Sequence, residues 1–474
     1  MSMVDENNSL PALTLAGGDA TLPRLYAAAL ACLLQTNTVP GPGGAPPRFI
    51  RAGGGYPEPW TRDASINAWS AASLLEPEVA RDTLLVVTEI GPAGRRVIVQ
   101  DNQWWDQVIW VIAAWQHVLV TGDGAFAKLA FAVGRDSLAI LDRDRYRPAY
   151  GLYAGGALMQ DGISGYPQPP NEPGIGSSFV LDYPRAREIM CLSTNAVYVG
   201  ALRSLAALAE LTGAPSADYR ARAGRLSDAI NDRLWIEEDG CYGYFVHGAG
   251  DKADTISRHQ EAAGLALALM FGVASGRRRD LVLANAHRET HGVVNVWPHF
   301  PERYSDERPG RHNVICWPMV MGLFGEAAAR AGEAGLFDQT LRDLETLFAD
   351  SGDQFFELYN AGTGEPDGGW QQGHHWDSEP DQTWSATALL RLLHLGLLGI
   401  RYEVRGVSFA PVVPPRFDGA VLTGLPYRQA TLDISLSGHG RVLTAARLDG
   451  EPVTGPVHIP ANLTGRHRVE LGLG

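Results

Sequence analysis

At 474 residues the chain is too long for one ordinary hydrophobic core, so it holds two or three domains or wraps most of its length into one large closed architecture. Hydrophobic residues make up 45% and charged residues 19%, a composition that excludes a disordered or fibrous protein. A formal net charge of −14 excludes a basic field for a nucleic-acid partner, and two lysines only, Lys128 and Lys252, leave Schiff-base, pyridoxal-phosphate and Walker A chemistry without a suitably placed side chain.

The first eighteen residues, MSMVDENNSLPALTLAGG, lack a basic segment followed by an apolar one, and no later stretch reaches about 18 uninterrupted apolar residues. A cytoplasmic protein with no membrane partner is expected. Cys32, Cys191, Cys241 and Cys316 are widely spaced without a C-x-x-C pair, which reads as buried free thiols rather than disulfides or a zinc site. Residues 36–58 are too rich in Pro and Gly for a helix or central strand.

From about 60 to 400 one pattern recurs, an apolar-periodic helix followed by a Gly/Pro/Asp-rich connection. Together with one in the lead-in, about twelve helices are predicted, beginning near residues 20, 61, 78, 103, 124, 187, 215, 258, 277, 313, 335 and 382; Asp101 and Asp381 stand as start signals ahead of Gln103 and Gln382. Six antiparallel pairs close into an (α/α)6 toroidal barrel with a funnel at one end. Residues 143–185 form the longest irregular stretch, too long for a mere connector. After residue 400 alternating segments between Gly, Pro and Asp turns predict a small C-terminal antiparallel β-domain. The expected domains are a lead-in at 1–59, a mainly α catalytic barrel at 60–400 and the β-domain at 401–474. All twelve tryptophans lie between Trp60 and Trp384, on the barrel side of that boundary.

Several segments carry candidate chemistry. FFELYNAGTGEPDGG, residues 355–369, places Glu357 before a Tyr-Asn pair and a Gly-rich turn, and Gln382-Thr383-Trp384-Ser385 then opens a helix. Arg62 and Asp63 follow Trp60 in TRDASINAW, where a helix cap and surface ion pair would serve as well. Trp104, Trp105 and Asp106 could line a binding site by stacking or fill the core. His374, His375 and Trp376 lie in a loop between Glu357 and the Trp384 helix, while His259 and Glu261 open another helix. His287 and His291 stand at i and i+4 without the Glu order a metalloprotease needs, so no metal is expected. No G-x-S-x-G elbow or G-x-G-x-x-G after a strand occurs, and no cofactor is expected.

The E-x-Y-N-x-x-T-G run at Glu357, with the Trp-Ser helix start that follows, resembles inverting glycoside hydrolases with six-hairpin barrels, the glucosidase and trehalase families and the glucoamylases. Residues 193–246 resemble their central helix pair and residues 311–322, holding His312 and Trp317, their tryptophan-containing helix; the similarity covers roughly 60–400. It implies Glu357 as general base, and Arg62 and Asp63 as the pair gripping the terminal sugar. For the acid it points to Asp161 in MQDGISGY, where Tyr166 stands in place of the family's tryptophan, with Asp182 as the reserve candidate. Inversion wants a protonated acid and an ionised base about 6.5–9.5 Å apart, which two loops at one barrel mouth can supply.

The resulting expectation is an exo-acting glycoside hydrolase that cleaves a terminal sugar from a small glycoside with inversion, its partner a carbohydrate. The C-terminal β-domain resembles the tails of rhamnosidase and disaccharide phosphorylase barrels, so a phosphorylase stays open, as does a sugar epimerase using His259 or His375. Spacing carries no signal of oligomeric state.

Overall fold

A computed structural model describes residues 10–44, 46–100, 103–453 and 457–474. Among them twelve helices run to seven residues or more: α1 (Thr21–Ala31), α2 (Thr61–Asn67), α3 (Pro77–Val86), α4 (Ile109–Thr121), α5 (Gly124–Arg145), α6 (Leu192–Thr212), α7 (Ala217–Arg233), α8 (Ala262–Met270), α9 (Arg277–Asn285), α10 (Pro318–Ala331), α11 (Ala334–Asp350) and α12 (Thr383–Arg391). Their ends follow local chemistry. Gly122, Gly213 and Gly332 terminate α4, α6 and α10 with φ of 75°, 77° and 83°, and the Asp123 carboxylate caps α5 by accepting from the Phe126 amide at 2.9 Å.

Burial divides the helices into two sets. α2, α4, α6, α8, α10 and α12 bury residues on nearly every face, whereas α3, α5, α7, α9 and α11 bury one stripe. Within the first set α2 packs on α4, α4 on α6, α6 on α8, α8 on α10, α10 on α12, and α12 back on α2. Small residues such as Gly200, Gly322 and Gly325 stand where a Cβ would meet neighbouring side chains, so the helices approach closely.

Four predicted helix starts fall several residues early. The segment from Gln103 is a run of i→i+3 turns that becomes helical at Ile109, and the start signal Asp101 lies outside the described residues. The starts near 187, 258 and 313 are displaced by the short strands Ile189–Cys191, Gln260–Glu261 and Ile315–Cys316, each of which pairs with another loop before its helix begins. The Pro/Gly-rich lead-in folds back as a small hairpin, Thr38–Pro40 against Arg48–Ile50.

Besides the short strand pairs of the inter-helix loops, the strands are β1 (Ala12–Thr14) near the start of the described chain and, after residue 400, β2 (Ile400–Glu403), β3 (Gly406–Phe409), β4 (Val421–Tyr427), β5 (Gln429–Ser437), β6 (Leu443–Leu448), β7 (Glu451–Pro452), β8 (His458–Pro460) and β9 (Thr464–Leu473). One sheet runs β1-β4-β5-β9-β6-β7 and a second β2-β3-β8. The expectation of a purely antiparallel C-terminal region is corrected here, because β5 and β9 pair in parallel over nine residues. Period-two alternation specifies a buried face and says nothing of strand direction. The sheet also draws in β1 from the far end of the chain.

A buried ion network joins three of the inner helices. Glu326 on α10 lies 2.5 Å from Arg391 on α12 and 2.5 Å from Arg330, and Arg391 donates to Ser70 Oγ just beyond α2 at 3.1 Å. Burial opposes the charge of Glu326, yet Arg330, Arg391 and Arg401 outweigh it and hold the carboxyl down at about 2. Glu326→Gln should cost about 3–5 kcal/mol in urea unfolding, because it strands a buried guanidinium, whereas Arg24→Ala at the exposed Arg24–Asp353 pair should leave the urea midpoint close to wild type.

Candidate active site

The residues that precede or open the inner helices converge on one cavity of about 320 Å³. The lead-in contributes Tyr56 and Trp60, the first turn of α2 gives Arg62 and Asp63, and the turns before α4 give Gln103. Residues Met159 to Phe179 of the long irregular stretch supply Asp161 and Gly162; the segment before α10 supplies Arg311, His312 and Trp317. Glu357, Gln371 and Trp376 come from the loops before α12, and Gln382 and Trp384 from its start. Gly162 is required for close approach, since a Cβ there would fall 2.2 Å from Gln371 Oε1 and 2.5 Å from His312 Nε2.

Two carboxylates on separate loops lie beside consecutive residues. Arg311 donates to Glu357 Oε2 at 2.7 Å and to the Gly368 carbonyl at 3.1 Å, and the Tyr56 hydroxyl donates to the same Glu357 oxygen at 3.3 Å. His312 lies with Nε2 3.8 Å from Asp161 Oδ1, while Gln103 donates to Asp161 Oδ2 at 2.7 Å and Arg62 lies 3.6 Å from that oxygen. Arg62 also meets the Gln103 side-chain carbonyl, and its Nε lies 4.0 Å from Asp63. Burial lowers His312 to about 3, so the imidazole is neutral; it likewise raises Asp63 to about 7, against the pull of Arg62 and with a push from Glu357 and Asp161.

Of the sequence-predicted site residues, Asp161, Glu357, Trp60, Arg62, Asp63, His312, Trp317, Trp376 and Trp384 line the cavity. The others do not. Trp105 donates to the Ala157 carbonyl, Asp106 accepts from the Met159 amide, and the Tyr166 hydroxyl accepts from the Ala157 amide and donates to the Gln160 carbonyl. These three brace the turn that leads into Asp161. Trp104 stacks under Arg145, 3.7 Å from the ring centre. Glu261 accepts from the Ser193 amide at the start of α6 and is raised to about 8 by burial; His259 bonds to Ser257, and burial lowers it to about 4. His374 and His375 are exposed, with His375 on Asp367, and the reserve candidate Asp182 is exposed and bonded to Ser177 of its own loop.

Sequence reasoning missed Tyr56, Gln103, Phe179, Arg311, Gln371 and Gln382 as cavity residues. Arg311 had a signal, since a buried carboxylate demands a cation and this arginine opens the segment that holds His312 and Trp317.

Comparison with known proteins gives the class as a glycoside hydrolase domain. The chain belongs to the mannosylglycerate hydrolase MGH1-like glycoside hydrolase family, whose model matches residues 56–385. Among solved structures it is similar to a sialidase (14% identity, TM-score 0.67, covering 88% of this chain and 37% of that one) and to a GH78 family rhamnosidase of Bacillus sp. GL1 (17%, 0.59, 98% and 44%). It is also similar to a GH63 mannosylglycerate hydrolase from Thermus thermophilus in complex with Tris (19%, 0.59, 78% and 100%), an enzyme also solved with D-glycerate. The chain thus spans less than half the length of the first two, and at these identities the likeness is one of mostly helical glycosidase fold. No curated protein sequence matches it. Among the described residues no helix is long and apolar enough to cross a membrane.

Asp63 gives a pH test. Its folded value near 7 lies above the ordinary 3.8, so its contribution to stability is complete below about 3.8 and is lost as pH rises through about 7. Wild-type melting temperature should therefore fall more between pH 5 and 8 than that of Asp63→Asn; Glu261 acts with the same sign in both proteins and cancels in the comparison.

Proposed function

We propose that the protein is an exo-acting glycoside hydrolase that removes a terminal sugar from a small glycoside with inversion. Asp161 donates a proton to the leaving oxygen and Glu357 takes one from the attacking water. The observation that carries this reading is the placement of the two carboxyls on separate loops of one small cavity, each with its own partner from the Arg311-His312 pair. Gln103 and Arg62 engage Oδ2 of Asp161, which leaves Oδ1, 3.8 Å from His312 Nε2, as the oxygen to face the leaving group. Glu357 is ion-paired to Arg311, and a base of this kind has to be charged when water arrives.

Exo action is supported by size, since about 320 Å³ is at the lower end of the roughly 300–1,000 Å³ of ligand cavities and accommodates a sugar with a small aglycone. Arg62 and Asp63, buried at the cavity wall, would grip sugar hydroxyls, with Asp63 a donor when protonated. The same proposal includes an (α/α)6 toroidal barrel over 60–400, supported by the unbroken cycle of packing from α2 through α12, with a lead-in before it and a β-domain from 401. The motif at Glu357 favours the glucosidase and trehalase type of inverting barrel, and the Thermus mannosylglycerate hydrolase favours a small glycoside as substrate. Four free, buried cysteines fit a reducing, cytoplasmic setting.

Glu357→Gln should lower kcat by about 10²–10⁴-fold with the native circular dichroism spectrum kept, although loss of the buried partner of Arg311 lowers the melting temperature; retention of more than about a tenth of the rate would remove the base role. Proton NMR with α- and β-linked disaccharides and glycosylglycerates in phosphate-free buffer should show a free sugar released first in the anomer opposite to the bond broken. Release of a sugar phosphate only after phosphate is added would move the protein to the phosphorylases, and conversion of a reducing sugar without cleavage would make it an epimerase.

A further inference from the structure

The described residues enclose a second cavity, of about 260 Å³, between the outer helices α5 and α7 and reaching Leu202 of α6. None of the residues that line it lines the first cavity. Asp142 and Tyr146 come from the end of α5 and the residue after it, Tyr153 from the short strand Leu152–Tyr153 that pairs back on Tyr146, and Arg222 and Arg225 from one stretch of α7, three residues apart. The aromatic wall is fixed before any ligand arrives. The Asn195 side chain of α6 accepts from the Tyr153 amide at 2.8 Å and donates to the Tyr153 carbonyl at 3.1 Å, and the Tyr153 ring stacks on Tyr198 with centres 3.7 Å apart.

The polar groups beside that wall are only partly spent. Asp142 Oδ1 accepts from Arg222 Nη2 at 2.5 Å and from the Tyr153 hydroxyl at 2.6 Å, and the same Arg222 nitrogen donates to the Tyr153 oxygen at 3.0 Å. This closed triangle leaves Nε and Nη1 of Arg222 without a hydrogen bond among the described residues, and the exposed Arg225 makes there neither a hydrogen bond nor an ion pair. Both guanidiniums stay charged at any working pH, and burial, with Asp142 alongside, holds the Tyr153 hydroxyl well above its ordinary range, so it adds no negative charge. Two cations thus face one carboxylate, and a proton on Asp142 would only widen the excess. The Asp142–Arg222 pair by itself is enough to tie α5 to α7; Arg225 beside it serves no such contact.

We propose that this cavity is a second binding site, for a small molecule in which an oxyanion, phosphate or carboxylate, is carried on a ring. The oxyanion meets the unspent N–H groups of Arg222 and Arg225, whose planar forks suit either group, and the ring lies against Tyr146 and the apolar side chains of Leu202 and Leu226. The volume, just under the roughly 300–1,000 Å³ of ligand cavities, restricts the molecule to one ring and its charged group. The site is independent of the glycosidase reading of the first cavity.

The test is titration calorimetry of the whole chain at about 0.15 M salt with glucose 6-phosphate, glucuronate and phenyl phosphate, and with inorganic phosphate and glucose as probes of the oxyanion and the ring alone. At least one of the three ring-borne oxyanions should bind with Kd of about 1 mM or below and at least about ten-fold more tightly than either probe; the tighter of glucuronate and the two phosphates names the oxyanion. Arg225→Ala should weaken that binding at least about ten-fold, and Tyr146→Ala at least about three-fold, with the native circular dichroism spectrum kept in both because each side chain is exposed. No heat from any ring-borne oxyanion at about 10 mM would overturn the proposal. So would binding that both variants leave unchanged, which places the molecule elsewhere, in the first cavity included, where neither residue lies.

Discussion

Three carboxyl groups and two guanidiniums share one cavity largely withdrawn from water, and the local structure follows from keeping that set in balance. Burying a carboxylate is costly unless a donor or cation meets it, so each of the three has its own answer: Arg311 and Tyr56 for Glu357, Gln103 and Arg62 for Asp161, and, for Asp63, a retained proton below about pH 7. The backbone fixes these meetings. Ile315–Cys316 pairs with Tyr359–Asn360, so the segment that begins at Arg311 runs against the one that begins at Glu357. Val314 adopts φ of 46°, a bend that the surrounding pairing has to hold in a bulky residue.

The other carboxyl depends on a scaffold of a different kind. The turn ahead of Asp161 is stapled at Gly156 by Thr194, at Ala157 by Trp105 and Tyr166, at Leu158 by Ser193 and at Met159 by Asp106. Ser193 and Thr194 belong to the first turn of α6, which Glu261 in turn meets through the Ser193 amide. Met159 itself has φ of 62°, so the chain reaches Asp161 through a conformation that these surrounding bonds have to hold. Aromatic and acidic residues that look like sugar contacts in the sequence thus serve to aim a carboxyl group into the cavity.

This explains what could and could not be read in advance. Helices α1 to α12 were legible because apolar periodicity and Gly or Pro punctuation survive in the sequence, and Glu357 because its motif is local. Arg311 and Tyr56 come from places 46 and 301 residues away from Glu357, and spacing holds no trace of such meetings. Trp105, Asp106 and Tyr166 misled for a physical reason: buried hydrogen-bonding aromatics and carboxyls are wanted equally behind a site and in it. The parallel pairing of β5 with β9 was hidden because face alternation is the same in either direction.

The joining of β1 to β4 has its own consequence. Thr14 donates to the Val421 carbonyl across 407 residues of chain, with nearly all of the helical body lying between them. On a ribosome, β1 emerges ahead of the helices and stays without its neighbour until about four hundred further residues have been made, so the sheet cannot be completed during synthesis of the helices. The exposed edge of that early segment is short, only three residues, which keeps a long wait from becoming an opportunity for pairing with other chains. The last strands thus close the sheet onto a segment made before the helices, and the order of translation and the order of closure run in opposite directions.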